Sequence, residues 1–316
     1  MPPLREADFP DYNSGPALRA YLERRGLSVL KRYGQNFLIN PRVRKALIDA
    51  LELNGGDGVW EIGPGLGAMT LPLLDGGAVV RAFEIDGGVS ALLEQLFAGR
   101  PFTLVRGDVL KTWESRGDES PYLLGNLPYS IAAPLMGSFI EGGRFFRRMV
   151  ITVQKELAQR MAASPGSKDY ASLSVLLSSA YTVRKLMTLK GASFYPAPHV
   201  ESASLQLTLR PGIPRYGALF FPLVRSLFEF RRKTAANNLE HFLSQSCIMR
   251  EAKDAGGGYA GQRDAGSEHG GQKYAVEAAL RESGIKAGAR AETLEKEQFF
   301  ALAACLEGSF MLRKTK

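Results

Sequence analysis

Short apolar runs at 58–62 (GVWEI), 79–85 (VVRAFEI), 102–105 (FTLV), 122–124 (YLL) and 149–153 (MVITV) alternate with segments of helical pattern. No other feature constrains the chain as much. Such runs are the mark of strands buried on both faces, and strands alternating with helices require a parallel, doubly wound α/β sheet. After a helix around 173–181, the runs 183–189 and 204–209 have no long crossover helix between them. They are expected to pair antiparallel at the far edge of the sheet. Beyond Arg210 and Pro211 the pattern changes to helices alone. Val224, Leu227, Phe228, Ala235, Leu239 and Phe242 recur at helical spacing, with Arg231, Arg232 and Lys233 on the exposed side.

These patterns divide the 316 residues into an N-terminal extension (1–30), a sheet domain (31–210) and a helical domain (211–316). In the extension, 1–13 reads as a loose tail, and Ser14-Gly15-Pro16 opens a short helix that Gly26 closes. A glycine-rich stretch at 255–271 with almost no apolar residues reads as a flexible insertion in the helical domain.

Lys and Arg outnumber Asp and Glu by 40 to 32, a net charge of +8, which tilts the chain towards polyanionic partners, nucleic acid first. The two cysteines form no CxxC and the three histidines are scattered, so neither a metal site nor a disulfide framework is indicated. No apolar run reaches the ~20 residues of a membrane span, and no secretory signal is evident. A cytoplasmic protein that does not engage membranes is therefore expected, and a monomer, since no apolar stripe is left unassigned.

Ligands of open α/β sheets bind beyond the carboxyl ends of the strands, where the unusual residues of this chain collect. The first strand ends in Glu61-Ile62-Gly63-Pro64-Gly65-Leu66-Gly67, a turn that lets backbone approach a ligand closely. Its GxGxG spacing differs from the GxGxxG that seats a dinucleotide pyrophosphate, which disfavours a dehydrogenase. Glu84 ends the second strand, where a carboxylate can accept both hydroxyls of a ribose. Asp108 follows the third, placed to accept from an adenine amine. Together they describe an adenosine ligand without phosphates, and S-adenosylmethionine fits better than NAD. The fourth strand meets Gly125-Asn126-Leu127-Pro128-Tyr129. Pro128 removes a backbone donor, so the Asn126 oxygen and the Leu127 carbonyl can accept both hydrogens of an exocyclic amine while Tyr129 stacks on the base. Alone, each piece reads equally as a turn or a helix cap. Their shared register at successive strand ends favours one site.

These stretches resemble the KsgA (RsmA) family of ribosomal RNA adenine dimethyltransferases, which is related to the Erm methylases. The resemblance rests on YGQNFL (33–38), EIGPGLG (61–67), FEID (83–86), GD (107–108) and GNLPY (125–129). KDYASLSV (168–175), SFYPAPHVESA (193–203) and FEFRRKTAANNL (228–239) continue it. It implies a Rossmann-like, class I methyltransferase sheet followed by a small helical domain. It further implies that Asn36 and Leu38 close over S-adenosylmethionine, while Gly63, Gly65, Glu84, Asp108 and Asn126 line its pocket and no metal takes part. Asn126, Leu127, Pro128 and Tyr129 would hold the target adenine, with Phe194 covering its other face. The implied substrate is a pair of adjacent adenosines near the 3′ end of small-subunit rRNA, each dimethylated at N6 during ribosome biogenesis. Arg231, Arg232 and Lys233, with the basic cluster at Arg147 and Arg148, would contact RNA. An Erm-type large-subunit methylase, a DNA or protein methylase and a non-catalytic assembly or transcription factor are the alternatives on the same fold. Neither the N-terminal extension nor the glycine-rich insertion is expected to touch the donor pocket.

Overall fold

The computed structural model describes residues 8–30, 33–114, 120–213, 215–245 and 265–314. The side chains of Tyr129, 265–272 and 309–314 are outside this description, as are the tail at 1–7, Lys31, Arg32 and residues 255–264 of the glycine-rich stretch.

The chain groups into two compact units, 1–162 with 180–211, and 163–179 with 212–316. The first contains the strands β1 (Phe37–Leu38), β2 (Gly58–Ile62), β3 (Val79–Glu84), β4 (Phe102–Arg106), β5 (Tyr122–Asn126), β6 (Arg148–Gln154), β7 (Tyr181–Leu189), β8 (Phe194–Tyr195) and β9 (Ser202–Leu209). Seven of them form one sheet in the order β4-β3-β2-β5-β6-β9-β7, and β1 and β8 make a separate antiparallel ribbon. From β4 to β6 all pairings are parallel, while β9 runs antiparallel to both β6 and β7. The expected edge pair is therefore present, with β7 outermost. Strand order reverses between β2 and β5, which opens a crevice at the carboxyl ends of those strands.

The helices of this unit are α1 (Gly15–Arg24), α2 (Pro41–Asp49), α3 (Thr70–Asp75), α4 (Gly87–Leu96), α5 (Val109–Thr112), α6 (Tyr129–Glu141) and α7 (Lys155–Met161). They cover both sheet faces, so central strands are apolar on both sides. On one face Val59, Val80, Ala82, Leu124 and Val150 share a core with Leu47, Leu73 and Leu93. On the other, Trp60 packs against Phe83, Phe139 and Phe146 at ring-centroid distances of 4.7, 6.3 and 5.4 Å.

Four expectations need correction. First, β5 continues to Asn126 instead of stopping at Leu124: Gly125 pairs with Ile151 and Asn126 with Thr152. A Cβ on Gly125 would lie 2.7 Å from Leu127 Cδ2, so glycine is what allows the Leu127 side chain to fold back beneath the strand. Secondly, the N-terminal extension belongs to the sheet unit. Ser14 caps α1 through Ala17 N, and Leu18, Tyr21 and Leu22 enter the same core as β2 and β3. Thirdly, residues 163–179, expected in the sheet domain, group with the helices. Fourthly, the periodic run from Val224 to Phe242 is two helices.

The second unit contains α8 (Ser172–Ala180, except its last residue), α9 (Phe220–Leu227), α10 (Ala235–Gln245), α11 (Ala265–Glu282) and α12 (Lys296–Lys314). Residues 265–271, expected to be part of a flexible insertion, form the first turns of α11. Arg231, Arg232 and Lys233 lie in the turn between α9 and α10 rather than on a helix face. That turn is stapled by the buried Asn238, whose Nδ2 donates to the carbonyls of Leu227 (2.9 Å) and Phe230 (3.3 Å). Among the described residues no helix is long and apolar enough to cross a membrane.

Candidate active site

The crevice holds a cavity of about 190 Å³ whose walls include Asn36, Gly63, Glu84, Asp108, Asn126 and Pro128. Gly65 lines it too, so residues from five separate segments converge as their strand-end positions require. A smaller cavity of about 40 Å³ adjoins it, sharing Asn36, Phe37, Gly63, Gly65 and Asn126 and walled further by Leu38 and Tyr12.

The glycine turn has positive φ at Gly63 (68°), Gly65 (57°) and Gly67 (88°), conformations costly for any residue with a Cβ. A Cβ on Gly65 would also sit 3.0 Å from the Phe37 ring, so this glycine lets the β1 segment close against the turn. Glu84 ends β3 and is 6% exposed, with Oε1 accepting from Asp86 N at 2.8 Å. Burial pushes its carboxyl up to about 7; N–H donors of Asp86, Ile85 and Gly65 oppose that rise and the Asp86 carboxylate adds to it. Glu61 behind the turn is also pushed up to about 7, by complete burial first and by Glu84 in addition, against a 2.6 Å hydrogen bond from the Thr70 hydroxyl. Its Oε1 is buried without a hydrogen-bond partner among the described residues. Burial thus keeps both carboxyls protonated to a higher pH than usual, and a cation beside them would favour their ionised form. Asp108 serves both readings at once: it caps α5 through Leu110 N (3.0 Å) and lines the cavity.

Asn126 is the last paired residue of β5. Its Nδ2 donates to the Asn36 carbonyl at 2.7 Å, which turns Oδ1 into the acceptor of the amide. Leu127 N donates to Thr152 O (2.9 Å) and its side chain is buried, so its contribution to a ligand is restricted to its carbonyl. Pro128 lines the cavity and its carbonyl accepts from Ile131 N, the first bond of α6; Tyr129 opens that helix.

Other expected site residues fall elsewhere. Leu38 walls the smaller cavity and not the larger one. Phe194 pairs with Leu38 in the β1–β8 ribbon, is 4% exposed and lines neither cavity. To cover a base it has to leave the core cluster it occupies here. Arg148 is committed to the Leu51 carbonyl (3.1 Å) and Glu52 (2.6 Å), and Arg147 beside it is exposed. Both are at the amino end of β6, the sheet edge opposite the cavity. Arg231 Nη2 donates to the carbonyls of Lys168 (2.8 Å) and Tyr170 (3.2 Å) and meets Glu292 at 3.2 Å, which makes it a staple of the helical unit. Arg232 is exposed, and Lys233 Nζ lies 4.5 Å from the Phe230 ring centroid.

Several residues at the site were not assigned a role from sequence. Gln35 lines the larger cavity and donates to Asp86 Oδ2 at 3.1 Å, latching the Gly34–Phe37 loop to the strand-end acids. Ile85, 45% exposed, lies beside Glu84 in the same wall. The amide in GQNFL and the residue next to a strand-end acid are signals that would have identified both. Tyr12 reaches the glycine turn, against the expectation that the extension stays clear of the pocket: its hydroxyl donates to Leu66 O at 2.9 Å. No pattern in the sequence marks it.

The family model described as ribosomal RNA adenine dimethylase matches residues 26–252. The ribosomal RNA small subunit methyltransferase A of Treponema denticola is 38% identical over 308 residues, covering 93% of this chain and 95% of that protein. Two solved structures share the fold. A dimethyladenosine transferase from Plasmodium falciparum has a TM-score of 0.68 at 24% identity, covering 83% of this chain and 94% of its own. The 23S rRNA methyltransferase ErmE has a TM-score of 0.59 at 23% identity, covering 86% of this chain and all of its own. The seven-stranded order and these two likenesses make the sheet a class I methyltransferase fold. On the family match and the identity along nearly its whole length, the chain belongs to the ribosomal RNA adenine dimethylase family.

Proposed function

We propose that this protein dimethylates adenine N6 amines of small-subunit ribosomal RNA, using S-adenosylmethionine, at two adjacent adenosines near the 3′ end. The observation that carries the reading is that Asn126 stands in the same cavity as Glu84 and Asp108. An acceptor clamp for an amine therefore adjoins a seat for an adenosine-bearing donor.

The cavity fits that donor. Glu84 would accept from the ribose hydroxyls and Asp108 from the adenine amine, and a cationic donor would in turn favour the ionised form of Glu84. When bound, S-adenosylmethionine supplies an electrophilic methyl group. The work left to the chain is on the acceptor. An adenine amine is a poor nucleophile because its lone pair is delocalised into the ring. In the first transfer Asn126 Oδ1 and the Leu127 carbonyl, accepting one hydrogen each, hold the amine pyramidal and keep that lone pair available. In the second, the one remaining hydrogen goes to either acceptor, and each transfer releases a proton to solvent. The 2.7 Å bond from Asn126 Nδ2 to Asn36 fixes the amide orientation beforehand. Positioning and polarisation then carry the rate, and no histidine is needed.

A target adenine must be unstacked to enter, which suits single-stranded rRNA and an aromatic clamp of Tyr129 with Phe194, the latter once it leaves the core cluster it occupies here. With Arg231 and Arg148 held by carbonyls and carboxylates, the residues expected at the RNA that stay exposed are Arg147, Arg232 and Lys233. These supply the salt-dependent part of the affinity. The cytoplasm, where immature subunits are found, is the working compartment.

The test is methyl transfer by purified protein from labelled S-adenosylmethionine to small subunits lacking the modification, with large-subunit rRNA as the competing substrate. Label in small-subunit adenosines supports the proposal. Label confined to large-subunit rRNA would replace the substrate and leave the chemistry intact.

A further inference from the structure

We propose that Tyr12 is a donor-positioning residue: it closes the end of the donor site that takes the amino-acid tail, so the segment around α1 is part of that site. The inference rests on the reading of the larger cavity as a methyl-donor site.

The polar walls Glu84 and Asp108 belong to the larger cavity alone, and Asn126 lines both. A donor with its adenosine against those acids and its reactive methyl at Asn126 would direct its remaining atoms along the wall of Gly63 and Gly65 that the two cavities share. The space beyond that wall is the smaller cavity. Tyr12, Leu38, Leu66 and Met69 enclose it.

Tyr12 is held there from two sides. Its hydroxyl donates to the Leu66 carbonyl at 2.9 Å, inside the glycine turn. The Arg44 guanidinium, 8% exposed, donates from Nη1 to the carbonyls of Tyr12 (3.1 Å) and Leu38 (2.8 Å) and from Nη2 to Asn13 Oδ1 (2.6 Å). One buried cation thus ties together two walls of the same small cavity. The anchorage continues outward. A Cβ on Gly15 would lie 2.6 Å from the Tyr195 ring, so glycine lets α1 sit against the β1–β8 ribbon. Arginine is suited to this, because its planar fork donates to several carbonyls at fixed angles. Burial, with smaller contributions from Tyr21 and Glu61, raises the Tyr12 phenol above its ordinary range and keeps it a neutral donor. Asn126 is a wall of this cavity, but no hydrogen bond among the described residues joins Tyr12 or Arg44 to Asn126 or Leu127, so the expected effect is on donor affinity rather than on the acceptor.

Calorimetric binding of three probes tests this: S-adenosylmethionine, S-adenosylhomocysteine and 5′-methylthioadenosine, which has the adenosine and sulfur but no tail. Tyr12→Ala is expected to weaken the two tail-bearing ligands about tenfold and methylthioadenosine less than about twofold. In turnover, KM for S-adenosylmethionine rises while kcat is kept. Tyr12→Phe retains the ring, loses only the bond to Leu66 and is expected to weaken the tail-bearing ligands about threefold. It serves as the second variant if Tyr12→Ala fails to fold. Equal weakening of all three probes would reduce Tyr12 to fold support and overturn the inference, as would unchanged binding of S-adenosylmethionine. If the unsubstituted protein binds none of the probes, the donor reading itself falls, and this inference with it.

Discussion

Replacing Glu84 by Gln should make stability less dependent on pH and the protein a worse binder of its donor. The Glu84 carboxyl is pushed from its ordinary 4.5 up to about 7, chiefly by burial. Between those values the folded chain holds a proton that the unfolded chain has released. Stability therefore falls as pH rises through this window. At 1.36 kcal/mol per pKa unit, wild type loses ~2–3 kcal/mol between pH 5 and pH 8 through this group. Glu84→Gln has no such loss, and Glu61 titrates in both proteins. For a unit of this size each kcal/mol moves Tm by 2–4 °C, so the variant should gain on wild type by roughly 5–10 °C from pH 5 to pH 8. Differential scanning calorimetry at the two pH values measures it. Binding changes in the other direction. A carboxamide offers one acceptor oxygen where the carboxylate offers two, and turns an N–H towards hydroxyls that need acceptors. S-adenosylmethionine affinity should fall about 10–100-fold. Wild-type affinity should climb as pH passes through 7, where Glu84 ionises, and that of the variant should stay flat by comparison. A Tm gap that does not widen between pH 5 and pH 8 would refute the burial argument. Equal donor affinity in the two proteins would refute the assignment of Glu84 to the donor.

Asn126→Ala removes the amine acceptor and the tether to Asn36 together; turnover should drop by about 10²–10³, with donor affinity within about fivefold of wild type. Single-turnover transfer and equilibrium binding separate the two effects, and unchanged turnover would eliminate the amine clamp. In the turn after α9, neighbouring cations should behave differently. Arg231→Ala should cost about 1 kcal/mol of stability in urea titrations, because it releases carbonyls of Lys168 and Tyr170 at a partly exposed site. Reversing Arg232 and Lys233 to Glu should leave stability within ~0.5 kcal/mol while weakening subunit binding and lowering its salt slope. If both variants lose only stability, this turn has no part in docking.

The strands are legible because each central run is covered on both faces and is apolar at most positions, a signal that survives in a single sequence. Glu84, Asp108 and Asn126 were legible for a related reason. A polar residue at the end of such a run stands where the sheet opens. What stayed hidden depends on partners far apart in the chain. The sequence shows Phe194 as an aromatic beside prolines; that it is buried follows from the pairing of β8 with β1, to which no local pattern points. Likewise a run of Arg231, Arg232 and Lys233 says nothing about which guanidinium is already taken by carbonyls. From sequence Tyr12 reads as tail, because it precedes the first periodic segment. Its role comes from Arg44, a charged residue in α2 whose burial cannot be inferred from helical spacing. The break between α9 and α10 is not visible in the periodicity, because the turn between them keeps the apolar spacing and the stapling Asn238 resembles any polar residue of a helix.

The most direct test of the central claim is a map of N6-dimethyladenosine in rRNA from cells lacking this protein, complemented with wild type or with Asn126→Ala. Wild type is expected to restore two adjacent dimethyladenosines near the 3′ end of small-subunit rRNA, and Asn126→Ala to leave them unmodified. Dimethylation at that position in the uncomplemented cells, or its full return with Asn126→Ala, would contradict the account.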